Sequence, residues 1–167
     1  ANLPETGQVT CYDAAGAAIA CTGTGQDGEL KAGVAWPNPR FTAGAGTTAE
    51  CVTDNLTGLM WVRAPSTINV IWTAALTDAN NLTLCGFSDW RLPNINELES
   101  LVNSETATQA TFLNSQGFSG IQADNYWSSS TWASGVGNAW LVSMGIGRAN
   151  VGSKSVSYYV WPVRAGQ

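Results

Sequence analysis

Cys11, Cys21, Cys51 and Cys85 are the four cysteines of this 167-residue chain, so no crosslink can reach beyond residue 85. Neither consecutive pair has the C-x-x-C spacing of a zinc site or a thioredoxin-like centre, which leaves disulfides as the expected use. Four cysteines allow three connectivities, of which Cys11–Cys21 with Cys51–Cys85 is the favoured one. Closing the shorter loop contributes about 3 kcal/mol in the chain-entropy account. Such bridges imply an oxidising compartment.

Charged residues make up only 11% of the chain, against roughly 25% in an ordinary soluble domain, while 44% are hydrophobic. Glycine, hydroxyl and amide residues fill the gap, a composition that points to an exported globular protein rather than a cytosolic helical one. The net charge of −5 opposes wholesale binding to nucleic acid or an anionic membrane surface. No Asp or Glu follows Asp124, however, whereas Arg148, Lys154 and Arg164 do, so the last quarter is mildly basic. The sequence contains no histidine, which excludes a Ser-His-Asp triad, a histidine general base and the common zinc sites. No apolar run approaches the roughly 20 residues of a membrane span, so no insertion is expected. No secretory leader opens the sequence, and Ala1 reads as a mature N-terminus. Residues 3–7 spell LPETG, a sortase-like motif at the wrong end of the chain, and are taken as coincidence.

One domain is expected over 1–167, in three parts. Residues 1–50 are rich in Gly, Ala and Thr and read as loops with short strands; 22–28 (TGTGQDG) and 43–48 (AGAGTT) are loops. Residues 51–124 form a helical frame. Within it 54–58 is a turn, 59–62 a buried strand, and 70–82 an amphipathic helix with Val70, Ile71, Ala74, Ala75, Leu76 and Ala79 as its apolar positions. A second helix starts at Asn94, with Glu97 three residues on in the capping-box pattern and Ile95, Leu98, Leu101 and Val102 on one face. Residues 103–124 read as a long polar loop anchored by Phe112 and Phe118. From 125 the chain turns to strand: 139–144 alternates, with Trp140, Val142 and Met144 opposite Leu141, Ser143 and Gly145, and 156–161 reads as the closing strand. The order is that of an α+β fold.

Residues 53–61 (TDNLTGLMW), 86–94 (GFSDWRLPN), 97–101 (ELESL), 126–129 (YWSS) and 159–166 (YVWPVRAG) together resemble a bacterial family, that of the C-terminal domain of the Legionella collagen-like adhesin. The likeness is read across roughly 1–167, including LPETGQ and the AGVAWPNPRF stretch. It implies a C-type-lectin-like fold with two helices and a small twisted antiparallel sheet, distantly similar to formylglycine-generating enzymes. It also implies export and surface display, and the adhesin's trimeric binding of sulfated glycans makes a homotrimer one expectation. A glycan-sulfate site needs a dense basic patch, which seven Lys and Arg in all do not supply. Some proteins of this fold are diversified by retroelements, which change Asn codons to NNY codons. Ser143, Gly145, Ile146, Arg148, Asn150, Val151, Gly152, Ser153, Ser155 and Ser157 are all reachable that way.

The expected function is an extracellular module that recognises a protein or glycan and catalyses nothing. The alternative is a structural subunit of a filament or larger adhesin, and a remote one is a formylglycine-type enzyme. The ligand surface is placed on Ser129, Thr131, Trp132, Leu141, Ser143, Gly145, Ile146, Arg148, Asn150, Val151, Ser153, Ser155 and Ser157, with Trp132 as an exposed aromatic platform. Trp90, Trp127, Trp140 and Trp161 are assigned to the core, and Arg91 to a carboxylate such as Asp89 or Glu97. No cofactor is expected. The lectin calcium signatures are absent, Asp54, Asn55 and Asp89 form only a weak calcium set, and a structural calcium is allowed at Asp27 and Glu29.

Overall fold

The computed structural model describes residues 3–166. An N-terminal hairpin, β1 (Cys11–Tyr12) and β2 (Ala18–Ile19), is followed by the short α1 (Asp27–Leu30). Next come β3 (Phe41–Ala43), β4 (Cys51–Asp54), β5 (Leu59–Val62), α2 (Trp72–Asn80), α3 (Ile95–Glu99) and α4 (Gln109–Ser115). The chain finishes with β6 (Asn125–Thr131), β7 (Asn138–Ser143), β8 (Arg148–Ser153) and β9 (Val163–Ala165). Beyond the hairpin there is a four-stranded sheet in the order β3-β4-β5-β9 and a three-stranded sheet in the order β6-β7-β8, with every named pairing antiparallel. The architecture is thus α+β, and both favoured disulfides, Cys11–Cys21 and Cys51–Cys85, are formed.

The turn at 54–58 follows from its residues. Gly58 takes a φ of 74°, a left-handed value that glycine adopts without strain. The Asp54 carboxylate accepts hydrogen bonds from Leu56 N–H at 3.0 Å and the Thr57 hydroxyl at 2.9 Å. Behind the turn, Arg40 reaches Asp54 at 3.3 Å through both Nε and Nη2, and its guanidinium lies 4.1 Å from the Trp36 ring centroid and 4.7 Å from that of Phe41. This pair is fully enclosed.

Two apolar clusters fill the interior. The larger joins both main sheets and includes Trp61, Trp161, Phe118, Tyr126, Leu98, Leu101 and Leu113; Trp61 and Trp161 meet edge-to-face at 5.5 Å. The smaller lies under α2, where Ala75 and Ala79 pack on Trp127, Leu141, Leu92 and Val160. Full burial of one such Leu or Val contributes about 1.5–3 kcal/mol. Cys51 and Trp90 belong to the larger cluster, so the second bridge closes at the core itself.

Several expectations need correction. The described residues hold four α-helices rather than two, because α1 forms across the end of the predicted 22–28 loop and α4 inside the predicted 103–124 loop. The predicted 70–82 helix spans only Trp72–Asn80: Ile71 is its extended N-cap, and Val70 exchanges main-chain hydrogen bonds with Tyr158. No strand runs over 156–161. Tyr158 is bridged to Val70 and Tyr159 to Tyr126, so adjacent residues go to different partners and no ladder propagates. The closing strand is β9 instead. The second helix is shorter than its apolar face suggests, yet Leu98 and Leu101 are both buried.

Candidate ligand-binding surface

The scaffold beneath the predicted surface is tightly tied. Asn94 Oδ1 accepts from Glu97 N–H at 2.9 Å while Glu97 accepts from Asn94 N–H at 2.8 Å, completing the capping box. Arg91 forks onto the same carboxylate at 2.6 and 2.7 Å. Burial pushes the Glu97 carboxyl up, but the Arg91 and Asn94 hydrogen bonds outweigh it and leave its pKa below the usual glutamate value. Asp89 takes Arg164 instead, at 2.7 and 3.1 Å, and that contact holds its pKa down. Trp90, Trp127 and Trp161 are buried as expected.

Strand β8 is the outer strand of its sheet, and its register on β7 sorts the predicted site residues. Arg148 stands opposite Ser143, Asn150 opposite Leu141 and Val151 opposite Trp140. Side chains alternate along a strand, so Arg148 and Asn150 lie on one face while Val151 and Ser153 lie on the other. Arg148 donates to Asn150 Oδ1 through Nη2 at 3.0 Å and Nε at 3.3 Å, and the residue is exposed. Ile146, 63% exposed, projects from the β7–β8 turn, where Gly147 comes against Gln109 and Val102. Gln109 is buried and bonded to Asn103 and Thr106, so α4 seats this turn rather than leaving it loose. Among the described residues, the main chain of 148–152 bonds only to β7.

The predicted residues are not one patch. Thr131, Ser153 and Ser155 stand at the far end of β8 from Ile146 and Arg148, about 17 Å away at strand rise. At that far end Lys154 donates to Thr131 Oγ1 at 2.8 Å and to Val136 O at 3.0 Å, and its ammonium sits 4.0 Å from the Trp72 ring centroid. Ser155 bonds Ser153, and Ser157 is exposed. Ser129 is turned inward, donating through both N–H and Oγ to Pro93 O. Ser143 and Gly145 are half-buried.

Leu141 must be removed from the surface set. It is 1% exposed in the smaller cluster, since its face of β7 is the one covered by α2 and Tyr158. Trp132 is half-buried, and its ring folds over Gly135 of its own turn. Trp140, assigned to the core, belongs to neither buried cluster and lies beside the exposed Val151 across the β7–β8 ladder. It is the aromatic side chain that sequence reading missed. The signal was its strand partner's polar surroundings, which only the register reveals.

The calcium candidates are occupied by protein partners. Asp54 holds Arg40, Asp89 holds Arg164, and Asn55 donates to Pro39 O and Thr42. Asp27 accepts from Thr6, and Glu29 from Gly23 and Gly25 N–H, which hold its pKa below the usual range. Among the described residues no three His, Cys, Asp or Glu side chains gather where they could hold a metal ion. Both bridges use all four cysteines, so no thiol stands free for formylglycine-type chemistry.

The two bridges fit an oxidising extracellular compartment, and the family match puts this small α+β module in the adhesin-like, surface-protein class. The chain belongs to the Lcl C-terminal domain family, that of the Legionella collagen-like adhesin, whose model matches residues 50–164. The match runs from the start of β4 into β9 and leaves LPETGQ and the 32–41 stretch outside it. No curated protein matches the chain. No helix among the described residues is long and apolar enough to cross a membrane.

Proposed function

We propose that the chain is an extracellular recognition module of C-type-lectin-like fold that grips a protein or glycan along the free edge of β8. The observation that carries this reading is the unshared β8 edge, which offers unlike chemistry from its two faces. Arg148 and Asn150 supply donors and an amide on one side; Val151 and Trp140 supply apolar area on the other. A ligand straddling the edge meets both, along with main-chain groups that β7 does not use. Mixed, low-charge surfaces of this kind suit protein and glycan recognition. The α+β order and the small antiparallel sheets are what support the lectin-like fold. Residues 143–157 surround this edge, where retroelement diversification would change ligands without touching the frame. A reverse transcriptase gene beside a 3′ repeat differing at adenines would support that origin, and its absence would count against it.

Glycan and protein arrays, run with and without calcium, test the reading. Arg148→Ala and Val151→Asp should each weaken capture of any ligand found by about tenfold or more, with an unchanged melting temperature. Full binding by both variants would sink it. An edge strand also invites pairing with a neighbouring copy, the subunit alternative. Light scattering after size exclusion separates the two: a monomer supports the recognition module, and a stable trimer or filament that buries β8 supports assembly.

A further inference from the structure

An apolar concavity lies away from β8. A cleft of about 460 Å³ opens between the 64–71 segment, α2 and the strand-end residues near the Cys51–Cys85 bridge. Val62, Val160 and Pro162 form its floor, Leu82 and Leu84 one wall, and Ile68, 70% exposed, its lip. The volume is within the range of small-molecule sites, roughly 300–1,000 Å³. Its frame is preformed. Val70 is held by two main-chain bonds to Tyr158 and one from the Trp127 indole, and Leu84 O accepts from the Trp90 indole. The bridge fixes the separation of two sides, because Glu50 precedes Cys51 and Leu84 precedes Cys85.

Charge then selects the occupant. The ionisable groups lining the cleft are Glu50 and Asp78, both exposed at its rim. Among the described residues neither carboxylate makes an ion pair or hydrogen bond. Arg63, whose main-chain N–H donates to Glu50 O, spends its guanidinium on Gly117 O and Ala49 O. Asp78 lies near the C-terminal end of α2, whose last turn carries no basic residue, so the helix dipole adds negative potential there. No aromatic ring lines the cleft, which favours an N–H-bearing cation over a quaternary one that would need a π face.

We infer that this cleft binds a small molecule with an apolar body and a primary ammonium group, the body against Val62, Leu82 and Leu84 and the ammonium between Glu50 and Asp78. The site is separate from the β8 edge and does not depend on it.

Calorimetric and NMR titration of the intact chain with 2-phenylethylamine, 2-phenylethanol and 3-phenylpropanoate tests the assignment. The amine should bind saturably, at least about threefold more tightly than the neutral isostere, and the anion least well. Glu50→Gln and Asp78→Asn should each weaken the amine by about threefold while leaving the alcohol unchanged. Ile68→Ser should weaken amine and alcohol alike, and Arg148→Ala should alter neither. Equal affinity for amine and alcohol, undiminished amine binding in both carboxamide variants, or no saturable binding up to millimolar concentration would each overturn the proposal. Undiminished ligand capture by Arg148→Ala and Val151→Asp, with amine binding intact, would fail the recognition reading alone.

Discussion

Asp54 is wholly buried, yet the Arg40 guanidinium, Leu56 N–H and the Thr57 hydroxyl all converge on its carboxylate. Removing it would strand the Arg40 charge between Trp36 and Phe41, where one guanidinium nitrogen, Nη1, already has no partner. Asp54→Ala should therefore lower unfolding free energy by about 3–5 kcal/mol in chemical denaturation. A loss under about 1 kcal/mol would mean that water reaches the pair. The turn around Asp54 was legible because Asp-Asn and Gly are local signals. The buried pair was not, since Arg40 lies 14 residues away and nothing between them marks the contact. For Arg91 the sequence left two nearby carboxylates, Asp89 and Glu97, and the choice of Glu97 rests on Arg164 taking Asp89 from 75 residues away. Leu141 and Trp140 show the same limit on a strand. The alternation separates their faces, but the placement of α2 decides which face is inside.

Among elements, those whose stability is local were the readable ones. α3 carries its own cap and an apolar face, so both its start and its buried side follow from residues 94–102. α4 has seven residues, and its buried positions include Gln109, whose polarity conceals a structural role. The 156–161 segment reads as a strand by period, but its carbonyls and amides are claimed singly by Val70, Asn125 and Trp127. The segment before β1 is held from a distance in the same way. Glu105 accepts from the Thr10 hydroxyl and from Val9 and Thr10 N–H, and these bonds hold its pKa below the usual 4.5. The folded value lies under the unfolded one, so the tie is complete above pH 4.5 and is lost as pH falls through the folded value. NMR titration should show the Val9 and Thr10 amides shifting together with a midpoint below 4.5, and Glu105→Gln should abolish that transition. A midpoint at or above 4.5 would show that the carboxylate gains nothing from these bonds.

At the scale of the molecule, the two disulfides serve different regions. Cys51–Cys85 lies within the 50–164 family match and closes against the larger cluster; Cys11–Cys21 lies outside the match, on the N-terminal hairpin. Their sequence separations are 34 and 10 residues, which in the chain-entropy account correspond to about 4 and about 3 kcal/mol. Replacing Cys51 and Cys85 by serine should lower the melting temperature more than replacing Cys11 and Cys21, since it also puts a polar atom into the core. The reverse order would place the weight of the fold in the hairpin. The pairing of β5 with β9 has one more consequence. Trp161 donates its indole N–H to Val62 O, 99 residues back, and packs on Trp61, so the larger cluster stays open until the last strand is present. Sealing of the interior therefore waits on contacts of high sequence separation, which makes it a late step of folding.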